Sequence, residues 1–111
     1  MDDHAGFRTF ARALLEAEGF DVVGEASDGA SAVLAAEQLA PRIVLLDIVL
    51  PDLDGFEVCA RLTAHARTPP AVVLTSSRDA TTYADRLRRC AARGFIAKDQ
   101  LSGTSLLALA G

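Results

Sequence analysis

Several features that mark particular classes of protein are missing from this sequence. An excess of basic residues is absent, because 11 Lys and Arg stand against 15 Asp and Glu, and we therefore expect no direct binding of nucleic acid. No uninterrupted apolar run approaches the about 20 residues of a membrane span. Met1 is followed at once by acidic residues instead of the basic and apolar parts of a secretory signal. The sequence thus favours a cytoplasmic protein that is not associated with a membrane.

Cysteine is also scarce. Cys59 and Cys90 both fall on apolar positions of predicted helices, which favours buried, reduced thiols over a disulfide. His4 and His65 have no partner at metal-ligand spacing, so we expect both to face solvent. What the chain has in quantity is apolar residues, which make up 50% of its 111 positions and can build the core of one domain.

The stretch from Arg42 to Gly55 carries the most information. Its run of Ile, Val and Leu before Asp47 predicts a strand buried on both faces, which is typical of parallel sheets. Turn residues follow from Pro51 to Gly55, and Phe56 begins a new helical pattern. In parallel α/β sheets, ligands bind beyond the carboxyl ends of the strands. Asp47, at such an end, is therefore the candidate reactive residue.

Helices and strands are predicted to alternate along the whole chain. Helical spacing of apolar residues predicts helices from residue 4 to a stop at Gly19, at about 28–39, from Phe56 towards Pro69, at about 79–93, and a brief last one capped by Ser102. Short apolar runs predict strands at 20–26, 43–47, 71–75 and 94–97. Strict alternation with short connections predicts an α/β fold with a doubly wound parallel sheet.

Polar residues of three kinds end successive strands: Asp47, Thr75 and Lys98. The acidic pair Asp2 and Asp3 immediately precedes the first helix. In a parallel sheet all of these can converge on one edge. A carboxylate can act as a nucleophile, Mg²⁺ prefers carboxylate oxygens, and ammonium and hydroxyl groups bind phosphate oxygens. The set therefore predicts a site for phosphoryl transfer.

These motifs resemble the receiver domains of two-component response regulators over nearly the whole chain. The matching motifs are Asp2 and Asp3 before the first helix, LLDIVLPDLDG around Asp47, VVLTS at 72–76 and GFIAK at 94–98. The resemblance implies a flavodoxin-like sheet of strand order 2-1-3-4-5 and a single receiver domain over residues 1–111, with no output domain.

The resemblance also implies a metal site and a phosphoacceptor. Asp47 would accept a phosphoryl group from a histidine kinase or a phosphotransfer protein. Asp3 and Asp47, with the carbonyl of Val49, would hold Mg²⁺, and Asp2 would support the water shell of the metal. The protein would then be a regulatory switch and not a metabolic enzyme, catalysing only its own phosphoryl transfer and dephosphorylation.

Further residues are implied to respond to the phosphoryl group. Thr75 and Lys98 would bind it, and Thr75 and Phe95 would act as the switch residues. Lys98 is followed by Asp99, which resembles receivers joined to LuxR-like output domains. The short final helix leaves a homodimer open as the assembly.

One departure from the family concerns the start of the chain. Receivers begin with an apolar strand before the acidic pair, whereas here only Met1 precedes Asp2, so the first strand is missing or truncated. Either the segment 20–26 closes up against 43–47, or a strand edge is left unpaired. A pseudo-receiver, which binds a partner without being phosphorylated, is therefore the alternative function. A haloacid dehalogenase-like phosphatase is disfavoured, because Val49 stands where that family has a second Asp.

Overall fold

Helices and strands alternate along the chain in the computed structural model, which describes residues 1–64 and 68–111. The helices are α1 (Ala5–Ala17), α2 (Gly29–Leu39), α3 (Gly55–Ala64), α4 (Ala84–Arg89) and α5 (Gly103–Ala110). The strands are β1 (Ile43–Asp47), β2 (Ala71–Ser76) and β3 (Gly94–Ala97). The expectation for His65 falls outside the described residues. Within those residues, no helix combines the length and the apolar character needed to cross a membrane.

The strands form a parallel sheet in the order β1-β2-β3 among the described residues. Asp47 pairs with Thr75 across β1 and β2, and Thr75 pairs with Ile96 across β2 and β3. Because all three strands run in the same direction, their carboxyl ends share one edge of the sheet. The predicted α/β fold with a parallel sheet is confirmed.

Each face of the sheet carries its own part of the core. On one face, alternate residues of β1 and β2 pack against α2 and α3; these strand residues are Val44, Leu46, Val72 and Leu74. On the other face, β2 and β3 pack against α1 and α5, through Val73, Ile96, Ala11, Leu15 and Leu106. The strand β2 is buried at all six of its positions and pairs with both other strands, so it is the centre of the sheet.

Local signals explain where the first two helices begin and end. The helix α1 ends just before Gly19, whose φ of 94° is readily adopted by glycine and costs other residues energy. The N-terminus of α2 is capped by the side chain of Asp28, which accepts a hydrogen bond from the Ser31 amide. Pro41 follows the end of α2, as the sequence predicts.

The prediction of a strand at 20–26 is wrong, since no strand forms there. Met1 and Asp2 lie between this segment and β1: Met1 hydrogen-bonds to Leu45 and Asp47, and the Asp2 amide donates to the Ala26 carbonyl at 3.0 Å. A strand is defined by a ladder of such bonds with its neighbour. Two residues are too few to supply that ladder to the segment 20–26.

The prediction of one helix over about 79–93 is also wrong. The segment begins with a 3₁₀ turn, Ala80–Tyr83, and the Asp79 side chain before it accepts a hydrogen bond from the Thr81 amide. This local hydrogen bond favours a tight turn over a regular helix. The helix α4 then covers only Ala84–Arg89. Cys90 therefore lies just beyond α4, half-buried, while Cys59 is buried in α3, and both are free thiols as expected.

Candidate functional site

Polar residues at the carboxyl edge of the sheet lie side by side and out of contact with solvent. Asp47 ends β1 and is 3% exposed, and Thr75, its neighbour in β2, is 1% exposed. Asp2, which lies beside β1, is 2% exposed. Charged and hydroxyl side chains are seldom buried without partners. Such burial at the ligand-binding edge of a parallel sheet marks this as the candidate site.

Lys98 joins the two buried carboxylates. It follows β3, and its Nζ lies 2.7 Å from Asp2 Oδ2 and 3.0 Å from Asp47 Oδ2. The same ammonium lies 4.6 Å from the centre of the Phe7 ring in α1, close enough for a cation–π contact. One cation is therefore shared between two carboxylates and also contacts an aromatic ring.

The pKa values of Asp2, Asp47 and Lys98 depend on two effects that act in opposite directions, burial of the charge and ion pairing. Burial raises the pKa of Asp47, and the nearby Asp2 charge adds to this, although the Val49 amide and Lys98 act against it. Burial also opposes ionisation of Asp2, but the hydrogen bonds from Lys98 and the His4 amide outweigh it and leave the Asp2 pKa lowered. The pKa of Lys98 is raised, because its two carboxylates outweigh its burial. Of the two carboxylates, Asp47 is therefore the one whose ionised form is stabilised less by its surroundings.

The loop after β1 fixes the orientation of Asp47. The Val49 amide donates to Asp47 Oδ1 at 3.0 Å, and the Gly55 amide donates to the Ile48 carbonyl at 2.7 Å. A Cβ atom at Gly55 would lie 2.4 Å from the Asp47 carbonyl oxygen, a separation that atoms do not tolerate. Only glycine therefore allows the loop to close this tightly behind the carboxylate.

The acidic residues before α1 complete a group of metal-binding type. Ligand atoms of Asp2, Asp3, His4 and Asp47 all lie within 4.8 Å of one another. The three carboxylates are the hard oxygen ligands that Mg²⁺ prefers, and the more exposed Asp3 could reach an ion from the solvent side. The residues present therefore fit a divalent cation, while the division of roles between Asp2 and Asp3 stays a prediction.

His4 takes part in this cluster, which the sequence did not predict. Its side chain is 70% exposed, as expected, but its Nδ1 lies 3.2 Å from Asp2 Oδ1 and 3.1 Å from Asp3 Oδ1. The expectation that His4 has no partner is therefore wrong. The signal was its position directly after two acidic residues, where a short loop brings the ring back towards them.

Thr75 supplies an unusual hydroxyl. Its Oγ1 is fully buried, yet it has no hydrogen-bond partner among the described residues. A buried hydroxyl without a partner costs about 1–3 kcal/mol, so a ligand oxygen at this edge of the sheet would recover that energy. The neighbouring Ser76 is buried as well, but its Oγ already accepts a hydrogen bond from the Arg78 amide at 3.1 Å.

Two other predicted residues lie near the edge of this site. Val49, whose carbonyl was expected to face a metal, lies two residues after the end of β1 and is 58% exposed. Phe95 lies in β3, three residues before Lys98, and is half-buried against the core on the α2 and α3 face. The roles of the Val49 carbonyl in metal binding and of Phe95 in switching stay predictions.

Comparison with known proteins identifies the family to which this arrangement belongs. Residues 1–109 match the family model described as "Response regulator receiver domain". BvgA of Bordetella pertussis is 37% identical over 100 residues, which are 90% of this chain and 47% of BvgA. The chain spans about half the length of the curated relatives it matches.

Solved structures agree with this match. The signal receiver domain of NarL from Mycobacterium tuberculosis superposes with a TM-score of 0.88 at 33% identity, over 98% of this chain and 90% of that domain. The beryllofluoride-activated N-terminal receiver domain of RstA from Klebsiella pneumoniae superposes with a TM-score of 0.81 at 30% identity, over 96% of this chain and 88% of that domain. The chain therefore belongs to the receiver domain family of two-component response regulators.

Proposed function

We propose that this receiver is a phosphorylatable switch and that Asp47 accepts the phosphoryl group. The observation that carries the proposal is the convergence of three chemically complementary groups at one edge of the sheet. The Asp47 carboxylate lies 3.0 Å from the Lys98 ammonium, and the neighbouring Thr75 hydroxyl is buried without a hydrogen-bond partner. Transfer of a phosphoryl group requires the protein to supply a nucleophile, a cation and a free hydroxyl donor.

The donor is proposed to be a phosphohistidine of a histidine kinase or of a phosphotransfer protein. A carboxylate oxygen of Asp47 forms a bond to phosphorus, and the phosphorus–nitrogen bond of the donor breaks. The electron pair of that bond goes to the nitrogen of the leaving imidazole, which takes up a proton from water. The product is an acyl phosphate on Asp47. Water later attacks its phosphorus and releases inorganic phosphate, which returns the carboxylate.

The metal is proposed to be Mg²⁺, held by Asp3 and Asp47 with the Val49 carbonyl, while Asp2 supports its water shell. When bound, Mg²⁺ neutralises negative charge on the phosphoryl oxygens. The clustering of the acidic side chains within 4.8 Å supports this assignment. Lys98 keeps Asp2 and Asp47 together before the metal arrives, because it contacts both of them.

Phosphorylation is proposed to act through a change in the partners of Lys98 and Thr75. A phosphoryl group on Asp47 offers new oxygens to the Lys98 ammonium and to the unpartnered Thr75 hydroxyl. Movement of these two groups would change the positions of the carboxyl ends of β2 and β3. Phe95 in β3 would then change its position as well and transmit the movement to the surface. The beryllofluoride-activated form of the RstA receiver supports an activated state in this family.

Labelling with a small phosphoryl donor tests the proposal. Acetyl phosphate with Mg²⁺ should add one phosphoryl group that hydroxylamine removes, which intact-mass spectrometry detects, and Asp47→Asn should abolish it. Asp54→Asn is the matched control, because Asp54 lies in the same loop, is 41% exposed and pairs with Arg86 at 2.7 Å. An adduct that persists in Asp47→Asn would refute the assignment of Asp47.

A pseudo-receiver is the second candidate, and the ion pairs of the acidic residues favour it. Lys98 already contacts both Asp2 and Asp47, so these two carboxylates have a cationic partner without a metal. If the folded chain takes up no phosphoryl group and binds no Mg²⁺ in titration, the protein acts as a binding module with the receiver fold.

A further inference from the structure

The side chain of His4 lies against the acidic residues of the candidate site, and the phosphoryl transfer proposed above gives it no role. Its Nδ1 lies 3.2 Å from Asp2 Oδ1 and 3.1 Å from Asp3 Oδ1. His4 directly precedes α1, but among the described residues its side chain makes no hydrogen bond that caps this helix. The ring therefore faces the carboxylates and is not used to begin the helix.

The backbone around His4 holds the ring in this place. The His4 amide donates to Asp2 Oδ1 at 2.8 Å, and the His4 carbonyl accepts the Arg8 amide at 3.1 Å in the first turn of α1. The Arg8 side chain donates to the Asp2 carbonyl at 2.6 Å. The loop that carries the acidic pair and His4 is thus already ordered, which lowers the entropy cost of binding an ion to its side chains.

The spacing of the ligand atoms is that of groups around one metal ion. Two ligand atoms about 2.1 Å from an ion lie about 3.0 Å apart in an octahedron and about 3.4 Å apart in a tetrahedron. The distances from His4 Nδ1 to Asp2 and Asp3 fall between these values. Small movements therefore suffice to bring the imidazole and these carboxylates to the same ion.

The ammonium of Lys98 does not occupy the side of Asp2 on which His4 lies. Lys98 Nζ contacts Asp2 Oδ2, whereas the His4 ring lies against Oδ1. The Thr75 hydroxyl at the same edge of the sheet is fully buried and has no hydrogen-bond partner among the described residues. Because buried hydroxyls are normally paired, this hydroxyl indicates an occupant of the site independently of the acidic residues.

An imidazole ligand changes which ion a carboxylate site prefers. Mg²⁺ is bound through oxygen ligands, whereas imidazole nitrogen is a ligand for first-row transition-metal ions. Carboxylates together with one imidazole therefore favour a transition-metal ion over Mg²⁺ more strongly than carboxylates alone. The His4 side chain is 70% exposed, so the ring can turn towards an ion without repacking the core.

We propose that His4 Nδ1 is a ligand of the metal site and determines its ion specificity, so that the site accepts a first-row transition-metal ion as well as Mg²⁺. This inference rests on the proposed function, because it adds a ligand to the same metal site. The imidazole nitrogen takes one position around the transition-metal ion, and carboxylate oxygens of the acidic residues take others. Asp47 remains the group that reacts with the phosphoryl donor.

The probe is Mn²⁺, which binds to sites of mixed oxygen and nitrogen ligands and is paramagnetic. Pulsed electron paramagnetic resonance of Mn²⁺ bound to the folded chain should show coupling to an imidazole nitrogen nucleus, and His4→Asn should remove this coupling. His65→Asn is the matched control, because the sequence has two histidines, and it should keep the coupling. In calorimetric titration, His4→Asn should weaken Mn²⁺ binding roughly tenfold and leave Mg²⁺ binding unchanged.

Equal losses of Mg²⁺ and Mn²⁺ affinity in His4→Asn would overturn the proposal, because His4 would then only position the carboxylates. Bound Mn²⁺ without nitrogen coupling would overturn it as well, as would coupling that persists in His4→Asn or disappears in His65→Asn. The proposed function is tested separately, by labelling of Asp47 from acetyl phosphate with Mg²⁺. A chain that is labelled but shows no nitrogen coupling keeps the proposed function and loses this inference, and a chain that binds neither ion loses both.

Discussion

Replacement of Lys98 by methionine tests how the buried acidic site is held together. The change keeps much of the side-chain volume but removes the ammonium that lies 2.7 Å from Asp2 and 3.0 Å from Asp47. Two carboxylates, each less than 5% exposed, then face each other without a cation. We expect a large loss of stability that depends on pH.

The contact distances set the size of this loss. At an effective dielectric constant of about 20, each contact corresponds to about 5–6 kcal/mol of attraction, most of which is offset by the desolvation of the three charges. Removal of one partner from a buried pair costs about 3–5 kcal/mol. Because the Lys98 side chain is still 15% exposed, water can screen part of the remaining charge. We therefore expect a decrease of about 3 kcal/mol in the free energy of unfolding at neutral pH.

The sign of the pH dependence follows from Asp2. Its folded-state pKa is lowered despite its burial, mainly by Lys98, so its contribution to stability is present above its unfolded pKa and is lost as the pH falls through the folded value. Without Lys98 both carboxylates take up protons more readily, and their repulsion disappears in acid. The difference between wild type and Lys98→Met should therefore shrink from pH 7 towards about pH 4.

Urea unfolding followed by far-ultraviolet circular dichroism measures this difference at the two pH values. Arg61→Met is the matched control, because Arg61 pairs with Glu57 on the exposed surface of α3, where ion pairs contribute little. Mg²⁺ should restore part of the stability of Lys98→Met, since a divalent cation also neutralises the carboxylates. A loss that is equal at both pH values would show that Lys98 stabilises the fold by packing and not by charge.

Two other changes test separate parts of the structure. Gly55→Ala should cost about 1–3 kcal/mol of stability, because its Cβ meets the Asp47 carbonyl, whereas Gly6→Ala has nothing within 4 Å and should be neutral or stabilising in thermal melts. Asp52→Ala should lower the melting temperature at neutral pH but not in acid, because the Gly29 amide lowers the Asp52 pKa and the benefit is lost when the carboxylate is protonated.

Those parts of the fold that depend on local sequence could be predicted. The apolar runs of β1 and β2 and the glycine that ends α1 each act within a few residues. The strand predicted at 20–26 did not form because a strand exists only with a partner, and Met1 and Asp2, which lie between this segment and β1, make only one backbone bond to it within the described residues, from Asp2 to Ala26. Apolar content alone therefore could not show whether the segment 20–26 would join the sheet.

The candidate site was predictable to a similar extent. Asp47, Thr75 and Lys98 converge because parallel strands end on one edge, and this follows from strand order alone. The contacts of Asp52 with the amides of Gly29 and Ala30 could not be predicted, because they join the loop after β1 to the N-terminus of α2, 23 and 22 residues away in the sequence. Such tertiary contacts leave no periodic signal in a single sequence.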